Sequence, residues 1–145
     1  MKKWLFLAAA FAAVGILARL PHPAKDISAL EPVRLVYVYE AAGALHIETD
    51  TDAYGSGKTL TEASEAMRVG ADGEIFLETA EFLLLDPDVP VTAAFFDLLR
   101  PSCKVFYTKA RPDLAASAQY LSVHPPKQRL RDLRAAFVPS EGGLP

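Results

Sequence analysis

Gly55-Ser56-Gly57-Lys58-Thr59 stands between a strand-like run and a helix-like run, and its reading decides how this chain folds. A nucleotide-binding loop has the form G-x-x-x-x-G-K-[ST], in which the first glycine opens a bend whose backbone N–H groups wrap the phosphates. Counted back from Gly57, that position is Asp52, a carboxylate where phosphate charge would approach. The stretch is therefore read as a structural turn. Thr59 suits a helix cap, and Glu62 three residues later completes a T-x-x-E capping box. Gly55, Gly57, Thr59, Glu62 and Ala63 form the structural motif of the chain, and no catalytic, cofactor-binding or metal-binding residue is expected among them.

Upstream of this motif, Val33, Leu35, Tyr37 and Tyr39 alternate along a first expected strand, and Leu45, Ile47 and Thr49 along a second. Ala41-Ala42-Gly43 suits the hairpin loop between them. Downstream, Leu60, Ala63, Ser64 and Met67 mark one face of a helix that starts at Thr59 and stops at Gly70, with Arg68 in its last turn. The run from Glu74 to Leu85 holds Ile75-Phe76-Leu77 and Phe82-Leu83-Leu84-Leu85, which read as buried strand, with helix left open between them. Val91, Ala94, Phe95 and Leu98 form the stripe of a second helix that Pro101 terminates, ahead of a strand from Cys103 to Thr108. Asp113 caps a third helix reaching Leu121, and Pro125-Pro126 separates it from a fourth in which Leu130, Leu133 and Phe137 lie among Lys127, Arg129, Arg131 and Arg134. The order points to an α+β domain: a mixed sheet with an N-terminal hairpin and packed helices.

The amino terminus sets the compartment. Lys2 and Lys3 precede an uncharged apolar run from Trp4 to Ala18, and no acid occurs before Asp26, the layout of a signal peptide or anchor. As a helix the run would rise ~22 Å, short of the ~30 Å hydrocarbon core, although Arg19 can snorkel and let Leu20 extend it. Ala13-Val14-Gly15 offers small residues for cleavage, so cleaved and retained forms both stay open, with the anchor favoured. The expected organisation is a signal peptide or anchor over residues 1–20, a Pro-containing spacer over 21–32, one domain over 33–138 and a tail over 139–145.

Charge and cysteine content exclude whole classes. The first 20 residues hold three of the 15 Lys and Arg and none of the 18 Asp and Glu, so the remainder carries 12 against 18, a net −6. Such a surface repels phosphate backbones, and nucleic-acid binding is not expected. The basic excess late in the chain reads as a solvated helix face, with contact to anionic lipid as the alternative. Cys103 is the sole cysteine, which leaves no intrachain disulfide and no zinc cysteine cluster. Its alternation with Val105 and Tyr107 makes it a buried thiol rather than a nucleophile.

The remaining candidates for catalysis are few. His22, His46 and His124 lie in the spacer, on a strand and before a Pro-Pro turn, and read as surface or packing residues without metal-ligand spacing. Ser56 lacks the G-x-S-x-G elbow because Tyr54 holds the first glycine position. Glu74, Glu78 and Glu81 share a face only if their run is helical, and then a solvated one. No acid, base and nucleophile converge, so no enzyme and no cofactor or metal are expected.

The stretch from Gly55 through Ala63, Gly-Ser-Gly-Lys-Thr-Leu-Thr-Glu-Ala, resembles the G-x-T-x-x-E-A segment in the N-terminal domain of the Ger(x)C spore-germination proteins, the lipoprotein subunits of germinant receptors. The order of elements from Val33 to Leu121 is similar as well. The chain departs from that family in lacking a lipobox cysteine and in carrying Thr79 near the family's histidine within the apolar stretch. The resemblance implies a non-catalytic, membrane-associated extracytoplasmic binding or assembly module of a sporulating Gram-positive bacterium. Its partner would be another membrane protein or a small ligand, with association to the inner membrane through the N-terminus. A structural envelope or spore component and, behind it, a phosphate-binding enzyme built on Gly55 to Thr59 are the alternatives.

Overall fold

The computed structural model describes residues 30–137. The expected leader, most of the spacer and the tail lie outside the described residues. Strands β1 (Leu30–Pro32), β2 (Leu35–Ala41), β3 (Ala44–Thr49) and β4 (Tyr54–Gly57) precede helix α1 (Leu60–Gly70). Then come β5 (Glu74–Phe76), a 3-10 turn (Leu77–Thr79), β6 (Phe82–Leu85), α2 (Ala93–Leu98), β7 (Lys104–Tyr107), α3 (Leu114–Val123) and α4 (Leu130–Phe137). The architecture is α+β, with a five-stranded mixed sheet in the order β4-β3-β2-β6-β7. β4, β3 and β2 form an antiparallel meander, whereas β2, β6 and β7 run parallel. β1, in the last residues of the stretch read as spacer, pairs in parallel with β5 as a separate ribbon, an edge position that tolerates Pro32.

Tight turns set the meander. The β2–β3 loop is the two residues Ala42-Gly43, at φ 52° and 75°, the left-handed pair of a type I′ turn. Between β3 and β4 the Asp52 N–H donates to the Thr49 carbonyl at 3.2 Å, and Asp52 itself takes φ 63°. This is a type I turn closed by a left-handed residue, and aspartate is among the few side chains that accept that conformation at small cost. Asp50 braces the turn, since its Oδ1 accepts from the Arg34 and Leu35 backbone N–H groups, each at 3.1 Å.

The glycine motif is a strand, which corrects the expectation of a turn. Glycine favours turns when nothing else competes, but here α1 lies directly on β4 and decides the matter. A Cβ on Gly55 would run into the Ala63 carbonyl and come within 2.5 Å of the Met67 amide nitrogen; one on Gly57 would meet the Glu62 Cβ at 2.6 Å. Tyr54 and Ser56 alternate with the glycines and turn to the opposite, exposed side. At the helix start the Thr59 Oγ1 accepts from the Glu62 N–H at 3.2 Å, and the Glu62 carboxylate accepts from the Lys58 N–H at 2.8 Å, one residue before the usual capping-box partner.

The core lies on two sides of the sheet. Val36, Val38, Ile47, Leu83, Leu85 and Val105 meet Leu60, Ala63 and Met67 of α1, Phe95 of α2 and Leu130 of α4. On the other side Leu35, Tyr37, Phe82 and Leu84 meet Ala118 and Leu121 of α3. Covering on both faces explains why Leu35 to Val38 are all buried, beyond the alternating Val33, Leu35, Tyr37 and Tyr39. The run from Glu74 to Leu85 divides into strand, 3-10 turn and strand, so Glu74, Glu78 and Glu81 share no helical face. Lys127 and Arg129 precede α4 rather than lying on it, because Asp132 accepts from the Arg129 N–H at 2.9 Å and starts the helix there.

Replacing Gly55 by alanine sets a methyl group against helix backbone and is expected to lower unfolding free energy by about 1–3 kcal/mol or more. Thr59→Ala, which only frees one helix N–H, should cost about 0.5–2 kcal/mol. Urea denaturation of both variants checks the seat of α1 on β4, and a neutral Gly55→Ala would contradict it.

Candidate functional site

α3 covers only part of its sheet face, and the aromatic and polar residues on that face carry the chemistry. Tyr37, Tyr39, His46 and Tyr54 point to this side from β2, β3 and β4 and stack in sequence, with ring centroids 4.8, 4.9 and 5.9 Å apart. Stacked aromatic pairs across strands stabilise the sheet beyond their burial. His46 is held at both nitrogens: Nε2 lies 3.1 Å from the Ala41 carbonyl and Nδ1 2.8 Å from the Tyr54 hydroxyl. A carbonyl only accepts, so Nε2 carries the proton and Nδ1 accepts from Tyr54.

Glu48, 8% exposed, occupies the next position on the same face of β3. Its Oε1 accepts from the Tyr39 hydroxyl at 2.7 Å, and its Oε2 accepts from Arg111 Nε and Nη2 at 3.1 and 2.8 Å. A buried carboxylate needs such partners to stay charged. Burial, then the hydrogen bond to Glu48, pushes the Tyr39 hydroxyl up to about 12. Burial is also the leading cause of the rise at Tyr37, and the bond to Glu48 the leading cause at Arg111. Arg111 comes from the segment between β7 and α3, so this ion pair ties the α3 entry to the meander. Asp113 then caps α3 by accepting from the Ala116 N–H at 3.0 Å.

Between these elements opens a cleft of about 490 Å³, lined by Glu48, Asp50, Asp52, Tyr54, Arg111 and Asp113 among others. It offers one tyrosine ring, an excess of carboxylates and one guanidinium. Its polar groups are held in fixed orientations by the hydrogen bonds among Tyr39, Glu48 and Arg111.

The motif residues lie elsewhere. Gly55, Gly57, Thr59, Glu62 and Ala63 meet at the joint of β4 and α1, on the face away from the cleft. Their N–H groups do not form a cradle, since the Lys58 N–H is taken by Glu62 and strand pairing with β3 engages the glycine strand. Cys103 is buried, which pushes its thiol up to about 12. The His124 ring lies 4.8 Å from that of Tyr120 and is tilted by 39° to it. Among the described residues, no group of three His, Cys, Asp or Glu could hold a metal ion, and no helix is long and apolar enough to cross a membrane.

Glu48 and Arg111 escape a sequence reading because 63 positions separate them. The available signal is the acid at position 48, between Ile47 and Thr49 on the face that the alternation of β3 assigns to Tyr37 and Tyr39. No family model matches the chain, and neither a curated protein nor a solved structure matches it.

A calorimetric titration with ATP and magnesium is expected to be flat, and saturable binding lost in Lys58→Ala would contradict this reading of the glycine strand. The Tyr39 proton is held to about pH 12 in the folded chain, against the ordinary value of 10.0. The unfolded chain therefore releases it first, and stability present below pH 10 is lost as pH rises from 10 towards 12. Tyr39→Phe should remove part of this alkaline slope in denaturation curves, while Cys103 contributes its own part from pH 9.0 upward.

Proposed function

We propose that this chain is a non-catalytic, membrane-associated extracytoplasmic module that binds or assembles with a partner through the cleft beside the tyrosine–histidine stack. The carrying observation is that cleft: an open, hydrogen-bonded surface built on rigid strands, with Tyr54 half exposed at its rim. Recognition surfaces of this kind combine an aromatic ring with charged groups whose orientation is fixed in advance. The partner class that suits it is a membrane protein or a small ligand presenting cationic or donor groups, which the carboxylates attract. Lys2 and Lys3 before the apolar run support a cytoplasmic amino terminus with the acidic body outside. The resemblance of Gly55 to Ala63 to the germination domain supports an assembly role next to a membrane receptor.

Protease treatment of intact cells should digest the body, and fractionation should find it with the membrane. A protected cytoplasmic body would overturn the location. A photoreactive side chain at Tyr54 should form one discrete adduct in the native host that weakens in Arg111→Ala, whereas no adduct at Tyr54 would remove the cleft as the contact surface.

A further inference from the structure

We propose that Phe106, Tyr120 and Val123, with Lys104, Lys127 and Arg129 beside them, form a surface that docks on the anionic headgroups of a lipid bilayer. The inference rests on the reading of the chain as membrane-associated and adds how the body lies on that membrane. Phe106 pairs in register with Leu84, and both line a groove of about 350 Å³ together with Tyr120 and Leu121 of α3. The apolar strip continues past Tyr120 to Val123. Phe106, Tyr120 and Val123 are 49%, 64% and 70% exposed, three of the six exposed large apolar side chains among the described residues.

The cations beside this strip are placed by backbone pairing. Lys104 lies two residues before Phe106 on β7 and so shares its face, and Arg129 stands opposite Lys104 in an antiparallel bridge. The Val105 N–H to Gln128 carbonyl bond at 2.9 Å and the Leu130 N–H to Cys103 carbonyl bond at 2.7 Å fix that register. Like charges directly opposite each other repel. Neither side chain has an ion pair or hydrogen bond among the described residues.

Among the neighbouring acids, Asp113 in the groove accepts from the Ala116 N–H, and Asp132 accepts from the Arg129 backbone N–H and stands 4.0 Å from Arg131. The Glu81 main-chain carbonyl accepts from the Lys104 N–H at 2.8 Å, and the exposed Glu81 carboxylate makes no ion pair with Lys104. Exposed Lys127 adds a third charge two residues from Arg129. In a body of net −6, three cations without an ion pair among the described residues, next to exposed aromatic and aliphatic side chains, are a local reversal of character. Tyrosine with lysine and arginine at the edge of an apolar strip matches the headgroup region, where the ring meets hydrocarbon and the charges meet phosphate.

The test uses the full chain in vesicles of phosphatidylcholine and in vesicles with about one third phosphatidylglycerol, and carries a nitroxide at Val123→Cys. Buried Cys103 stays unlabelled. The label should be shielded from a water-soluble nickel relaxant only in the anionic vesicles. That shielding should disappear in high salt, and Lys104→Gln and Arg129→Gln should each weaken it about fivefold at limiting anionic lipid. A label equally open to water in both vesicle types would overturn the docking surface. Equal shielding in neutral vesicles would overturn it too, in favour of a second copy or another protein. Flotation with neutral vesicles reports the N-terminal anchor separately: a chain that floats there with an exposed label keeps the anchor and loses this surface.

Discussion

The descent of α1 onto β4 to backbone contact is the constraint from which much of this fold follows. Only glycine at positions 55 and 57 admits that distance, since a Cβ would enter the space of Ala63 and Glu62. Close seating brings Ala63 and Met67 down to Ile47 and the rest of the main core, where both are fully buried. It also forces Tyr54 and Ser56 to the other face, because strand side chains alternate. The rim of the cleft is thus a consequence of a packing requirement on the opposite side of the sheet.

A second tie holds the open face in order. Glu48 would be costly on a buried sheet position, and Tyr39 and Arg111 make it tolerable by satisfying both of its oxygens. Arg111 itself is exposed, so the pair exchanges little solvation on the cationic side. The consequence is geometrical more than energetic: the segment leading into α3 is pinned over β3, and the cleft keeps its shape. The stack from Tyr37 to Tyr54 adds rigidity along the same face through ring contacts and two hydrogen bonds at His46.

The two halves of the sheet use different cover. On the parallel side β6 is buried at every residue, with helices above and below. On the antiparallel side α3 withdraws, and polar and aromatic side chains replace aliphatic ones. At the far edge β7 is closed by residues 128–130, which sets Lys104 against Arg129 and leaves Phe106 exposed next to Tyr120. The same chain therefore presents an acidic cleft at one side of α3 and a basic apolar strip at the other.

Local chemistry alone determined much of this. The Thr59 cap, the hairpin loop within Ala41-Ala42-Gly43, the Asp113 cap, the helix from Leu60 to Gly70 and the buried run of β6 each depend on neighbours within a few residues, and each was legible in the sequence. Tertiary structure decided that the glycine motif is a strand, since only the arrival of a helix backbone distinguishes a packing glycine from a turn glycine. It decided that Leu30–Pro32 pair with β5, that Leu35 to Val38 are covered on both sides, and that Glu48 meets Arg111 across 63 positions. Periodicity reports which residues avoid water. It carries no information on which distant elements supply the cover or the countercharge, and both the cleft and the basic strip are made of such distant pairs.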